Sequence, residues 1–303
     1  MNEPNIPSAF DMTIEKAFIG YYGEKDISTK EFKELLIVLK NKVKLCIPYL
    51  DKNFIKKLNS EFSSRLNELY FLDSLMNNSL KILHQNDAGM DIWIDAIKGW
   101  GEFVAATNGA EGKKHSLKPL CDGEVTDSND DLLICRVMTT ISTKVKKINA
   151  DVEKGLIKCN QPVVLFVSTA YLHEQFPFSV KNQLNGFLRA VLPISNPSFI
   201  YRPEGKSGIE YNYKLGVLKP KESEVINIEN DIFLKEESKF VSAVVFSYQS
   251  IFYQKEGFQS GEDFIVVHNP LAKNPIKHRL FKNNQEYVTN LINEELSINK
   301  INA

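Results

Sequence analysis

Four residues carry the chemistry legible in this chain: Glu68, Asp91, Glu102 and Lys144. Asp91 and Glu102 fall in two short segments, GMDIWIDAIKG and WGEFVAAT, rich in Ile, Val and Trp and joined through a glycine-containing turn. That text predicts a β-hairpin, residues 91–95 pairing with 100–107. A turn near residues 96–99 would bring both carboxylates toward one edge of a sheet. Two converging carboxylates suit a hard cation such as Mg²⁺ or Mn²⁺, which takes oxygen ligands. Such an ion polarises a phosphodiester and lowers the pKa of a bound water. The surroundings are mostly apolar, where a solvated carboxylate has little reason to sit. Asp95 competes with Asp91, because it lies on the same face at strand spacing. Glu68 also fits an ordinary helical pair with Arg65, and Lys144 a snorkelling surface lysine.

The elements that must position these groups follow from periodicity. Residues 32–45 carry apolar side chains at helical spacing, and Pro48 ends the pattern. Ile55, Leu58, Phe62, Leu66, Leu69, Leu72 and Met76 then recur every three or four residues, predicting one long amphipathic helix stopped by Asn77 and Asn78. Residues 108–130 are polar and turn-rich, a loop. The next helix runs from about Asp131 to Lys154. Its stripe is Ile134, Val137, Met138, Ile141, Val145, Ile148 and Val152; Asp130 or Asp131 caps it and Gly155 ends it. QPVVLFVST is a buried strand, and KFVSAVVFSYQSIFY and EDFIVVHNP each hold another. Residues 201–233 read as loops or a hairpin. This order predicts an α/β fold, a mixed central sheet flanked by helices. Residues 1–50 read as an N-terminal helical segment and 51–303 as the α/β domain with a C-terminal extension.

Gly89-Met90-Asp91, followed by strand and turn and then Glu102-Phe103-Val104, resembles the P-D…(D/E)-X-K signature of the PD-(D/E)XK nuclease superfamily. The preceding Arg65-Leu66-Asn67-Glu68-Leu69 resembles that family's first helix, where a glutamate often joins the metal site. The likeness covers roughly residues 52 to 169, and VVHNPLAKNPI resembles a strand and loop of bacterial proteins of this type. It implies a restriction-endonuclease-like core, a Mg²⁺ or Mn²⁺ cofactor held by Asp91, Glu102 and Glu68, DNA as partner, and a bacterial defence setting. Met90 replaces the proline and Val104 replaces the lysine that positions the attacking water. Members of the superfamily move that lysine to the following helix. Steps of about 100° per residue set Lys144 some 70° from the centre of the apolar stripe, with Lys146 and Lys147 about 130° away on the solvated side. Lys144 is thus the candidate substitute.

Composition bounds the alternatives. The chain has 303 residues, 43% hydrophobic and 25% charged, as in ordinary globular domains. Its net charge of -1 neither advertises nor excludes nucleic acid. No apolar run is long enough for a membrane span, and no secretory signal is evident. Cys46, Cys121, Cys135 and Cys159 are scattered without a C-x-x-C pair, so zinc is not expected and a reducing, cytoplasmic setting is. His115, His173 and His268 are isolated. Neither a phosphate-binding P-loop nor a G-x-S-x-G elbow is present. The expected function is a Mg²⁺-dependent nuclease cutting DNA. The rivals are a binding protein or scaffold on the same fold and a hydrolase of small phosphate esters. Oligomeric state is open, a homodimer being one form.

Overall fold

The computed structural model of the chain describes residues 8–22, 29–84, 89–110, 116–117, 130–172, 185–195, 198–201, 207–210, 212–221, 224–253, 257–282, 285–292 and 295–301. Four helices come first: α1 (Ser8–Tyr22), α2 (Lys30–Cys46), α3 (Phe54–Leu58) and α4 (Phe62–Asn77). Strands β1 (Ile82–His84), β2 (Ile92–Ile94) and β3 (Gly99–Ala105) follow, then helix α5 (Asp130–Glu153) and strand β4 (Val163–Ser168). Helix α6 (Asn185–Arg189) precedes two small hairpins, β5 (Ser198–Tyr201) with β6 (Ser207–Glu210) and β7 (Val217–Lys221) with β8 (Glu224–Ile228). Strands β9 (Val241–Ser247), β10 (Ile265–His268), β11 (Gln285–Ile292) and β12 (Glu295–Ile301) complete the chain.

The main sheet has eight strands in the order β1-β2-β3-β4-β9-β10-β11-β12. It is mixed: β3, β4 and β9 run parallel, and β1–β2–β3 form an antiparallel meander at one end. Helix α5 is the crossover that parallel β3 and β4 require. Strand β4 is buried on both faces, and its residues alternate between two cores. Val163, Leu165 and Val167 face the α5 side with Val137, Ile141 and Ile148, while Val164 and Phe166 face α1–α4 with Phe71, Leu75 and Leu39. The expected mixed sheet between helical layers is therefore the observed fold.

Local signals explain the helix ends. The Thr29 side chain accepts the Phe32 amide at 3.1 Å to cap α2, and Pro48 lies in the 3₁₀ turn Ile47–Tyr49 that ends it. The expectation of one long helix through residues 55–76 is corrected. The helix breaks at residues 59–61, where the Ser60 hydroxyl donates to the Lys57 carbonyl at 3.3 Å and competes with the ladder. Nor is α4 simply amphipathic. Every residue from Leu69 to Leu75 is buried, because α1–α3 cover one side of it and the sheet the other. Two of its buried polar side chains are paired, Asp73 through Oδ2 with Lys42 at 2.5 Å and Asn67 with Ser168 at 2.5 Å, while Asp73 Oδ1 is buried without a partner. Helix α5 follows its predicted span, and Gly155 ends it at φ +73°, a left-handed conformation open to glycine. Among the described residues no helix is long and apolar enough to cross a membrane.

Candidate active site

Strand β2 has three residues and β3 seven, so the two part company. Their register, Ile94↔Gly99, Trp93↔Trp100 and Ile92↔Gly101, continued one residue sets Asp91 opposite Glu102. Opposed residues of an antiparallel pair share a face, and this is the face covered by α5. Gly101 permits the last contact, since a Cβ there would meet Ile92 Cγ1 at 2.9 Å. Past Gly101, β3 keeps β4 on one side and loses β2 on the other. The Trp100 and Ala106 amides donate toward β4, so the Phe103 amide faces the gap. Asp91 closes it: its Oδ2 accepts the Phe103 N–H at 2.5 Å. A carboxylate thus takes the place of a strand partner, which fixes where its second oxygen lies.

Glu102 is 1% exposed. Its Oε1 accepts from Lys144 Nζ at 2.5 Å and from Lys147 Nζ at 2.7 Å, while Oε2 is buried without a hydrogen-bond partner. The placement of Lys147 on the solvated side is corrected. It stands three residues after Lys144 on the same strip of α5, and its long stem reaches back to Glu102 and to the Gly89 carbonyl, 2.6 Å away. Lys146 is exposed, as its helical angle predicts.

A cavity of about 150 Å³ opens at the fork, lined by Ser64, Arg65 and Glu68 from α4, Asp91, Val104 of β3, and Lys144. Glu68 reaches it while bonded to Arg65 Nη1 at 2.8 Å; Arg65 also holds Glu61 at 2.5 Å and Asp51 at 3.2 Å. Burial pushes the Asp91 carboxyl up to about 6, with the Glu102 charge adding to the shift. Burial likewise pushes Glu68 up to about 7, opposed by Arg65 and reinforced by Asp91. Raised carboxyl values in a cleft are found at functional sites and in structural ion-pair networks alike.

The structure separates Asp91 from its competitor. Asp95 sits in the turn Asp95–Ile97 and is tied to Lys98 at 2.6 Å. His268 is buried against Glu286 at 2.5 Å, in the other half of the sheet. His115, His173 and Cys121 lie outside the described residues. Cys46 and Cys135 are buried free thiols and Cys159 is an exposed one.

Among the described residues no group of three His, Cys, Asp or Glu side chains is arranged to hold a metal ion. At this site Glu68 is held in an ion pair by Arg65 at 2.8 Å. Asp91 and Glu102 remain as a pair, and the orphaned Oε2 of Glu102 is a buried carboxyl oxygen short of a partner. Mg²⁺ commonly binds through one or two carboxylates and keeps several waters, so this donor set fits it better than it fits zinc. Residue types, spacing and likeness singled out Asp91, Glu102, Glu68 and Lys144; the structure brings Asp91, Glu68 and Lys144 to one cavity and Lys144 to Glu102. Those signals missed Lys147 and the cavity-lining role of Arg65; the i, i+3 spacing from Lys144 was the available signal for the former.

No family model matches the chain, and neither a curated protein nor a solved structure matches it.

Proposed function

We propose that the chain is a Mg²⁺- or Mn²⁺-dependent nuclease that hydrolyses DNA phosphodiesters, of the PD-(D/E)XK kind its hairpin resembles. The observation carrying this reading is the opposition of Asp91 and Glu102 at a strand fork with Lys144 against Glu102 at 2.5 Å. Asp91 and Glu102 would hold the cation, with Glu68 joining directly or through water. A bound divalent ion would supply charge stabilisation at the phosphoryl oxygens and a more acidic water. Lys144 lines the same cavity, and its ammonium would orient that water for attack on phosphorus. The water oxygen would bond to phosphorus as the P–O bond to the leaving sugar oxygen breaks, the water giving up a proton to solvent and the departing oxygen taking one from solvent. Val104, standing where the signature has lysine, lines the cavity without a charge, and Lys144 takes that role from the other side.

The test is cleavage of supercoiled and linear DNA with Mg²⁺ and with chelator. Cleavage that needs Mg²⁺ and disappears in Glu102→Gln supports the reading. Turnover of a chromogenic phosphodiester without DNA cleavage would move the assignment to a small-ester hydrolase. One observation favours the non-catalytic rival: Glu102 already carries two lysines, as a structural ion pair would. A chain that binds no Mg²⁺ and cleaves neither substrate would establish it.

A further inference from the structure

We propose that Lys147 is a positioning residue that clamps the turn before β2 to Glu102, leaving Lys144 as the lysine free to serve the cavity. The contact stands on geometry alone; its catalytic meaning rests on the nuclease reading above.

The two lysines share an acceptor and differ in everything else. Lys144 lines the cavity and donates to Glu102 Oε1. Lys147 does not line it, and its Nζ donates to two acceptors, Glu102 Oε1 and the Gly89 carbonyl. Gly89 lies two residues before Asp91, so one ammonium ties the β3 carboxylate to the backbone that carries the other carboxylate. The turn at Gly89 leaves little slack. Its φ is +74°, and a Cβ there would meet Asp151 Oδ2 at 3.3 Å. Asp151 is one helical turn beyond Lys147, so α5 presses on this turn at two successive positions.

An ammonium has three donors. With Lys147 spending two on fixed acceptors, Glu102 keeps a cationic partner when Lys144 turns away toward a phosphate or water. Without Lys147 that same movement would leave a buried carboxylate uncompensated. The arrangement divides labour: Lys147 sets the distance between Asp91 and Glu102, and Lys144 moves.

The Phe103 amide reports the clamp without metal or substrate, since it is protected by the Asp91 side chain that the clamp holds in place. Native-state hydrogen exchange at Phe103 is compared in the full chain and in Lys147→Met, Lys144→Met and Lys146→Met. Lys147→Met should exchange Phe103 about tenfold faster, the loss of roughly one hydrogen bond's protection. Lys144→Met and Lys146→Met should match the parent. In Mn²⁺ titrations Lys147→Met should bind about tenfold more weakly, as loss of an outer-shell support does, and added Mn²⁺ should recover part of its DNA cleavage. Lys144→Met should keep its Mn²⁺ affinity and lose about 100-fold in cleavage at saturating Mn²⁺. Unchanged Phe103 exchange in Lys147→Met overturns the clamp, whatever the metal does. Tighter Mn²⁺ binding in that variant also overturns it, since Lys147 would then act only as a repelling charge. A parent chain that neither binds Mn²⁺ nor cuts DNA ends the nuclease reading, and the exchange comparison still decides the clamp. Lys147→Gln, which keeps an N–H donor, supplies the same comparison where Lys147→Met does not fold.

Discussion

Asp91 stands opposite Glu102 at the first position where β2 and β3 no longer pair, and it caps the Phe103 amide at 2.5 Å. A strand fork filled by a carboxylate is a position where folding and chemistry compete. One Asp91 oxygen completes the backbone hydrogen bonding of β3, and the same residue lines the cavity. Burial and the neighbouring Glu102 make the charged form of Asp91 costly. A cation at this position would relieve that cost.

Glu102→Gln keeps the side-chain volume and removes its charge. DNA cleavage should fall by at least about 100-fold, with circular dichroism unchanged. The Asp91 carboxyl should titrate lower than about 6, because the Glu102 charge contributes to its rise. Loss of the folded spectrum instead would make Glu102 a structural residue.

Lys144→Ala should reduce cleavage about 100-fold, while Lys146→Ala, exposed on the same helix, should cleave like the parent. Lys144→Arg should rescue poorly, because a planar fork does not replace a compact ammonium seated 2.5 Å from a carboxylate. Equal rates for the two alanine variants would remove Lys144 from the mechanism.

The pH response follows from Asp91 at about 6 and Glu68 at about 7. Both are raised above their unfolded values of about 4, so in that interval the native state holds more protons than the unfolded chain. The stability this pair adds to the metal-free protein is fully present below about pH 4 and is lost as pH rises through 6 to 7. Cation binding requires the deprotonated forms and should strengthen over the same window, by about tenfold per pH unit for each proton released. Isothermal titration with Mn²⁺ between about pH 5 and about pH 8 checks this; equal affinity across the range would exclude both carboxyls as ligands.

Gly99→Ala tests the start of β3. A Cβ at Gly99 would be driven into the Pro162 carbonyl oxygen, a backbone atom that cannot swing aside. Urea unfolding should show a loss of roughly 3 kcal/mol, typical of forced overpacking. A smaller loss would mean that β3 and the chain entering β4 separate easily at this end.

The amino-acid sequence by itself determined the elements whose signals are local. Helix α5 is written in the stripe from Ile134 to Ile148 and stopped by Gly155. The hairpin is written in two apolar runs around a turn, and α2 in its spacing up to Pro48. Asp91 and Glu102 were legible for a local reason too, as charged groups in apolar text, whereas Glu68 was picked out by the likeness of its helix and Lys144 by its angle on α5. Other features were decided between distant segments. Periodicity reads α4 as one face of a helix, but the sheet and three other helices bury it on several sides, and no local pattern records how many neighbours will arrive. The choice of Asp91 over Asp95 depends on where β2 ends against β3, a matter of register. Lys147 lay on the wrong side of a helical wheel drawn from Cα angles, because a lysine stem is long enough to reach back a turn once Gly89 and Glu102 are there to receive it. Only the packed chain brings residues 89 and 102 within hydrogen-bond distance of the Lys147 ammonium.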